Sequence, residues 1–169
     1  GFTPKLEAYL RAQGVAVRVV NGGVSGDTSS GGLARFDWTV PDGADAIIIE
    51  LGANDALRGI NPNVTRANLK QIIEKSRARG LKILLAGMLA PPNLGSAYGE
   101  SFAAIFPDLA RAYDVALYPF FLDGVAAQKS LNLADGIHPN AAGIDIIVSR
   151  IGPYAERLVL KIASGEKSK

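Results

Sequence analysis

His138, the only histidine of the chain, stands three residues after Asp135 in Asp135-Gly136-Ile137-His138-Pro139. Across one tight turn a carboxylate at that spacing can reach the imidazole Nδ1–H, fix the tautomer and leave Nε2 as a base. The same residues also read as a plain turn that opens the last helix, and both readings can hold together. Asn54, in Gly52-Ala53-Asn54-Asp55, follows an apolar run by three residues. An amide there can donate to a developing oxyanion without adding charge, or it can simply shape a turn. A third loop, Asn21-Gly22-Gly23-Val24-Ser25-Gly26-Asp27-Thr28, is rich in glycine. Gly26 can aim its N–H at an oxyanion with no side chain in the way. The loop also reads as a strand-to-helix turn with Asp27 as N-cap, or as a dinucleotide loop. Against the nucleotide reading, a Gly-x-Gly-x-x-Gly template puts its first glycine at Asn21, Glu50 lies beyond the usual ribose-binding distance, and Asp27 repels phosphate. The loop also lacks the lysine of a P-loop. Oxyanion donors, a base and its orienting acid are three parts of acyl-transfer chemistry; the fourth is a nucleophile.

Those residues must be held by a fold, and composition bounds which one. With 169 residues and 48% hydrophobic content, the chain is of one-domain size and can bury a sizeable core. Eighteen Lys and Arg against 16 Asp and Glu give a net charge of only +2, without long runs of either sign. That excludes a nucleic-acid channel or a polybasic membrane patch. Cysteine is absent, which removes disulfides, thiolate metal sites and a cysteine nucleophile. One histidine and no clustered carboxylates imply no metal or organic cofactor. No apolar run approaches the length of a membrane span.

Short apolar runs alternate with amphipathic stretches. Val15–Val20, Ala46–Leu51, Lys82–Met88 and Val115–Tyr118 read as strands, and their unbroken apolar character suits a parallel sheet covered on both faces. Helices are expected from Thr3, as N-cap, to Gly14; over Val64–Arg79, ended by Gly80; over Tyr98–Tyr113, with Pro107 as a kink or break; and from Asn140 through Ile162, with Pro153 as an irregularity. The expected fold is an α/β sandwich with right-handed crossovers, whose ligands bind beyond the carboxyl ends of the strands. The polar tail 164–169 is expected to fray, and residues 1–163 to form one domain.

The blocks Val24-Ser25-Gly26-Asp27-Thr28, Glu50-Leu51-Gly52-Ala53-Asn54-Asp55 and Asp135-Gly136-Ile137-His138-Pro139-Asn140 occur in the order of the SGNH (GDSL) hydrolases. The chain resembles the bacterial arylesterase, lysophospholipase and acyl-CoA thioesterase I group of that family. Gly32-Leu33-Ala34-Arg35, Leu57-Arg58-Gly59 and Pro119-Phe120-Phe121 extend the likeness over nearly the whole chain. The resemblance implies a flavodoxin-like three-layer sandwich with a five-stranded parallel sheet. It implies oxyanion donation by the Gly26 N–H and the Asn54 amide, with His138 as general base and Asp135 as its orienting partner. It also implies a loop at Asp55–Asn61 that moves beside the acyl site, a wall at Leu89–Tyr98, and a periplasmic or secreted location. The substrate would be a small-molecule ester or acyl thioester, cleaved through a serine acyl-enzyme.

The family's Gly-Asp-Ser-Leu block, which carries the nucleophile, and the strand before it are not found within the 169 residues. Ser25 does not sit in a Gly-x-Ser-x-Gly elbow, because position 27 is Asp27. Ser29 and Ser30 read as first-turn helix residues, Ser96 and Ser101 lie on or near a loop, and Ser130 precedes the base without a motif. In the family's strand order the absent strand lies between Val15–Val20 and Ala46–Leu51, so its loss leaves two apolar interior edges unsatisfied. The expectation is therefore a complementary N-terminal peptide carrying Gly-Asp-Ser-Leu. Two rivals remain: a catalytically silent ester- or acyl-binding module, and a flavodoxin-like nucleotide binder.

Overall fold

A computed structural model describes residues 1–165 of the chain. Of the polar tail expected at 164–169, residues 166–169 lie outside the described residues; Ser164 closes the last helix. The described residues form helices α1 (Phe2–Ala12), α2 (Ser29–Thr39), α3 (Ala53–Leu57), α4 (Pro62–Ala78), α5 (Ser96–Tyr113) and α6 (Ala141–Ala163). Three strands, β1 (Ala46–Ile49), β2 (Lys82–Ala86) and β3 (Ala116–Tyr118), complete the fold with two short 3-10 turns. They pack as two compact units, one of Gly1–Asn21 with residues 121–165, the other of Gly22–Phe120.

The central unit is α/β. Its sheet runs β1-β2-β3, all parallel, with Ala46 opposite Lys82 and Leu84 opposite Ala116. The middle strand reads Lys-Ile-Leu-Leu-Ala, and Leu84, Leu85 and Ala86 have no exposed surface, as a strand covered on both faces requires. Helix α4 packs against α2, α5 and β2 through Leu69, Ile72 and Ile73. It starts where Asn61 accepts from the Asn63 N–H with Pro62 in the first turn. Pro107 stands inside α5 without breaking it, and that helix buries Phe102, Ile105 and Phe106.

The other unit pairs α1 with α6. Leu6 and Leu10 of α1 are buried, as are Ile147, Ile151 and Ala155 of α6, and Tyr9 lies against Gly152. Lys5 ties the two helices by an ion pair to Asp145 at 2.5 Å. Asn140 caps α6, accepting from the Gly143 N–H at 3.0 Å, and α6 continues through Pro153.

Two expectations need correction. The first helix begins at Phe2 rather than after a Thr3 cap, with Gly1 as its N-cap. Val15–Val20 is not a strand: its polar groups are met by side chains and a helix end instead of a neighbouring strand. The Val19 N–H donates to Glu7 at 2.7 Å, the Val17 carbonyl accepts from Arg11, and the Val15 N–H returns to the Leu10 carbonyl. Two of the remaining strands end earlier than their apolar runs, at Ile49 and Ala86, while β3 ends at Tyr118 as expected.

The buried middle strand makes a direct test. Leu84→Ala leaves a cavity in a site without solvent access and is expected to cost about 2–5 kcal/mol. A urea midpoint unchanged from the parent would show that β2 is not the centre of this core.

Candidate active site

His138 and Asp135 sit at the tip of a short hairpin in the unit built on α1 and α6. Asn132 and Pro139 form an antiparallel bridge at its base, and the Leu133 N–H donates to the His138 carbonyl at 2.7 Å. The buried Asn132 amide anchors that base by donating to the Val125 and Gln128 carbonyls at 2.8 and 2.9 Å. At the tip, one Asp135 oxygen accepts from the Ile137 N–H at 2.9 Å and the His138 N–H at 3.0 Å. The other oxygen lies 2.6 Å from His138 Nδ1. The spacing read from the sequence thus closes as an Asx turn whose second oxygen holds the ring. The His138 backbone N–H, then its side chain, then the Ile137 N–H hold the Asp135 carboxyl at about 2, below its ordinary 3.8. With Nδ1 occupied, Nε2 is left for a substrate-side proton.

Gly26 and Asn54 belong to the central unit. After β1 the chain turns through Gly52, whose φ of +115° few other residues adopt. A side chain there would also press on the Phe102 and Phe106 rings at 3.3 Å. The turn starts α3 at once and sets Asn54 on its first turn. One amide hydrogen of Asn54 donates to the Asp27 carbonyl at 3.0 Å. A primary amide has two, so the second remains for a ligand. Gly26, at φ +80°, has nothing within 4 Å of where a Cβ would stand. Its carbonyl accepts from Arg58 at 3.0 Å.

The helix cap expected at Asp27 is Thr28, whose hydroxyl accepts from the Gly31 N–H. Asp27 is drawn away by Arg35, 2.6 Å from its carboxylate, and Arg35 also holds the Gly22 carbonyl. Arg35 is therefore engaged within the loop itself. Sequence reading also passed over Asp55, buried at 1% exposure and bound to Ser29 and Thr65. Burial first, and the Asp55 charge second, raise the Tyr98 phenol, which donates to the Ile60 carbonyl at 2.6 Å.

Among the described residues no serine bonds to the His138 ring. Ser29 and Ser76 are buried and bonded elsewhere, while Ser25, Ser30, Ser96, Ser101 and Ser130 are exposed. Ser96 opens α5 and Ser101 lies in its second turn. No group of three or more His, Cys, Asp or Glu residues among those described could hold a metal ion, and no described helix is long and apolar enough to cross a membrane.

Residues 1–146 match the GDSL-like lipase/acylhydrolase family. The chain belongs to that family. It is 40% identical over 160 residues to esterase TesA of Pseudomonas aeruginosa, covering 94% of this chain and 80% of that protein. It is 42% identical over 142 residues to thioesterase 1/protease 1/lysophospholipase L1 of Escherichia coli K12, covering 83% of this chain and 68% of the other. Among solved structures it resembles AlinE4, an SGNH-hydrolase family esterase, with a TM-score of 0.77 at 43% identity. That match covers 93% of this chain and 85% of AlinE4. The resemblance read from three sequence blocks holds, and so does the parallel α/β fold of an SGNH hydrolase. Nothing in these likenesses supports a nucleotide binder or a silent binding module. Nothing in these likenesses supports a separate complementary peptide.

The depressed Asp135 carboxyl gives a pH prediction with a definite sign. A carboxyl lowered on folding stabilises the turn above its ordinary 3.8, and that contribution fades as pH falls through about 2. The Ile137 and His138 amide resonances of this GDSL hydrolase should report an Asp135 titration midpoint near 2. A midpoint at 3.8 or above would mean that the carboxylate does not hold the turn.

Proposed function

We propose that this ester hydrolase cleaves carboxylic esters and acyl thioesters through a serine acyl-enzyme, with four of its residues in named roles. His138 Nε2 takes the proton of the attacking hydroxyl and returns it to the leaving group. Asp135 keeps the Nδ1 proton in place and stabilises the imidazolium that forms. The Gly26 N–H and the free hydrogen of the Asn54 amide receive the negative charge that develops on the carbonyl oxygen. The attacking hydroxyl is assigned to the serine of the family's Gly-Asp-Ser-Leu block, because the family likeness carries its nucleophile there and none of the serines of residues 1–165 sits in such a block. The reading treats 1–163 as one SGNH-hydrolase domain and places the enzyme in the periplasm or outside the cell, on the strength of the family likeness.

The observation that carries this reading is the Asp135–His138 contact of 2.6 Å, closed within a single turn. A histidine kept only for packing would be buried, whereas the His138 side chain is 56% exposed with its far nitrogen open. The Asn54 amide adds support, since one hydrogen is spent on Asp27 and the other is not.

The test is kinetic and uses the natural protein with a p-nitrophenyl ester. Loss of one oxyanion donor costs about 3–4 kcal/mol in the transition state, so Asn54→Ala should lower kcat roughly 100- to 1,000-fold with little change in KM. Asp135→Asn presents the wrong tautomer and should lower kcat by up to about 10,000-fold. An unchanged kcat in either variant would reject that residue's role. Fluorophosphonate labelling followed by intact-mass and peptide mapping should place the adduct on a Gly-Asp-Ser-Leu serine; an adduct on any of the serines above would overturn the assignment of the nucleophile.

A further inference from the structure

Asp55 is buried at 1% exposure, and no described lysine or arginine forms an ion pair with it. Its partners are neutral donors. One oxygen accepts from the Ser29 N–H at 2.8 Å, and the other from the Ser29 hydroxyl at 2.5 Å and the Thr65 hydroxyl at 2.9 Å. The Ser29 oxygen in turn accepts from the Asn68 amide at 3.0 Å. Burying a carboxylate without a cation is costly, and a well-packed apolar side chain would often stabilise a core as well or better. Stability alone is therefore a poor reason for an aspartate at this point.

Its position supplies another reason. Asp55 follows Asn54 directly on α3, and Ser29 lies three residues beyond Gly26 at the first position of α2. The α3 segment reaches the glycine-rich loop at three places: Arg58 to the Gly26 carbonyl, Asn54 to the Asp27 carbonyl, and Asp55 to the Ser29 backbone and hydroxyl. Of these three side chains only Asp55 is buried, so only its bonds are sheltered from competing water.

We propose that Asp55 is a positioning residue for the oxyanion site, its doubly held link to Ser29 fixing the spacing between the Asn54 amide and the Gly26 N–H. The proposal rests on the reading that those two groups bind the oxyanion. Asp55 itself touches no substrate. It acts by forbidding α3 and the loop ahead of α2 to move independently, and a misplacement of about 1 Å in such a site can cost 100-fold in rate.

Two hydroxyls on the same carboxylate allow a discriminating test. Ser29→Ala weakens the link to the loop, whereas Thr65→Val removes the link to α4 and leaves Ser29 in place. In the natural protein, Ser29→Ala should lower kcat for a p-nitrophenyl ester about 10-fold at nearly constant KM, with a matching drop in fluorophosphonate labelling rate. Thr65→Val should lower the melting temperature by a comparable amount and leave kcat within about 2-fold. Asp55→Asn, if it folds, should lower kcat by about 100-fold. If Ser29→Ala and Thr65→Val change melting temperature alike and leave kcat alike, Asp55 is merely structural and the proposal falls. Asn54→Ala, measured in parallel, separates the two levels. If it lowers kcat while Ser29→Ala does not, the oxyanion reading stands without the positioning role; if it has no effect, both fall together.

Discussion

A parallel strand cannot return on itself through a two-residue turn, so each strand of the central unit must release the chain at its carboxyl end into a connection that leads to a helix. β1 meets that constraint in very few residues. Ile49 ends the strand, Gly52 turns through a positive φ, and Asn54 and Asp55 already lie on α3. Such an abrupt exit leaves no room for drift between the strand end and the helix. The two side chains that follow inherit opposite environments: Asn54 half-buried with an amide hydrogen to spare, Asp55 sealed beneath it against α2 and α4. The loop before α2 is then shaped to fit this short helix, through contacts at Gly26, Asp27 and Ser29.

The acid–base pair is built on a different principle. Its bonds run between residues two or three apart, and the hairpin base at Asn132 and Pro139 is held by carbonyls of the preceding turn and by the Asn140 amide, which donates to the Ser130 and Asn132 carbonyls. An Asp-x-x-His sequence carries nearly all of this geometry, since an aspartate that accepts from the amides two and three residues on has little choice about where its second oxygen points. For this reason the dyad was legible before any fold was known. The same holds for the Asn140 cap and for the buried strand Lys82–Ala86, whose signals are local.

What escaped sequence reading depends on partners far along the chain. Asp27 looks like a helix cap, but Arg35 takes its carboxylate and passes the cap to Thr28. Asp55 carries no local signal of its role, because its partners Ser29 and Thr65 lie 26 and 10 residues away. Val15–Val20 has the composition of a strand, yet strand formation needs a neighbour, and the nearest hydrogen-bonding groups are Glu7, Arg11 and a helix end. Composition can propose a strand; only pairing makes one. The helices drawn through Pro107 and Pro153 do run through them, since a proline inside a helix of 18 or 23 residues loses one helical bond without ending it.

The self-contained bonding of the Asp135–His138 turn makes it robust in a way the oxyanion donors are not. Gly26 and Asn54 keep their arrangement only while α2, α3 and α4 stay packed, whereas the bonds that orient His138 run within one turn, from Asp135 to Ile137 and His138. Under mild heat or denaturant the catalyst should therefore fail from the side of charge stabilisation first, leaving an intact proton relay that has lost the means to hold the charge its own chemistry creates.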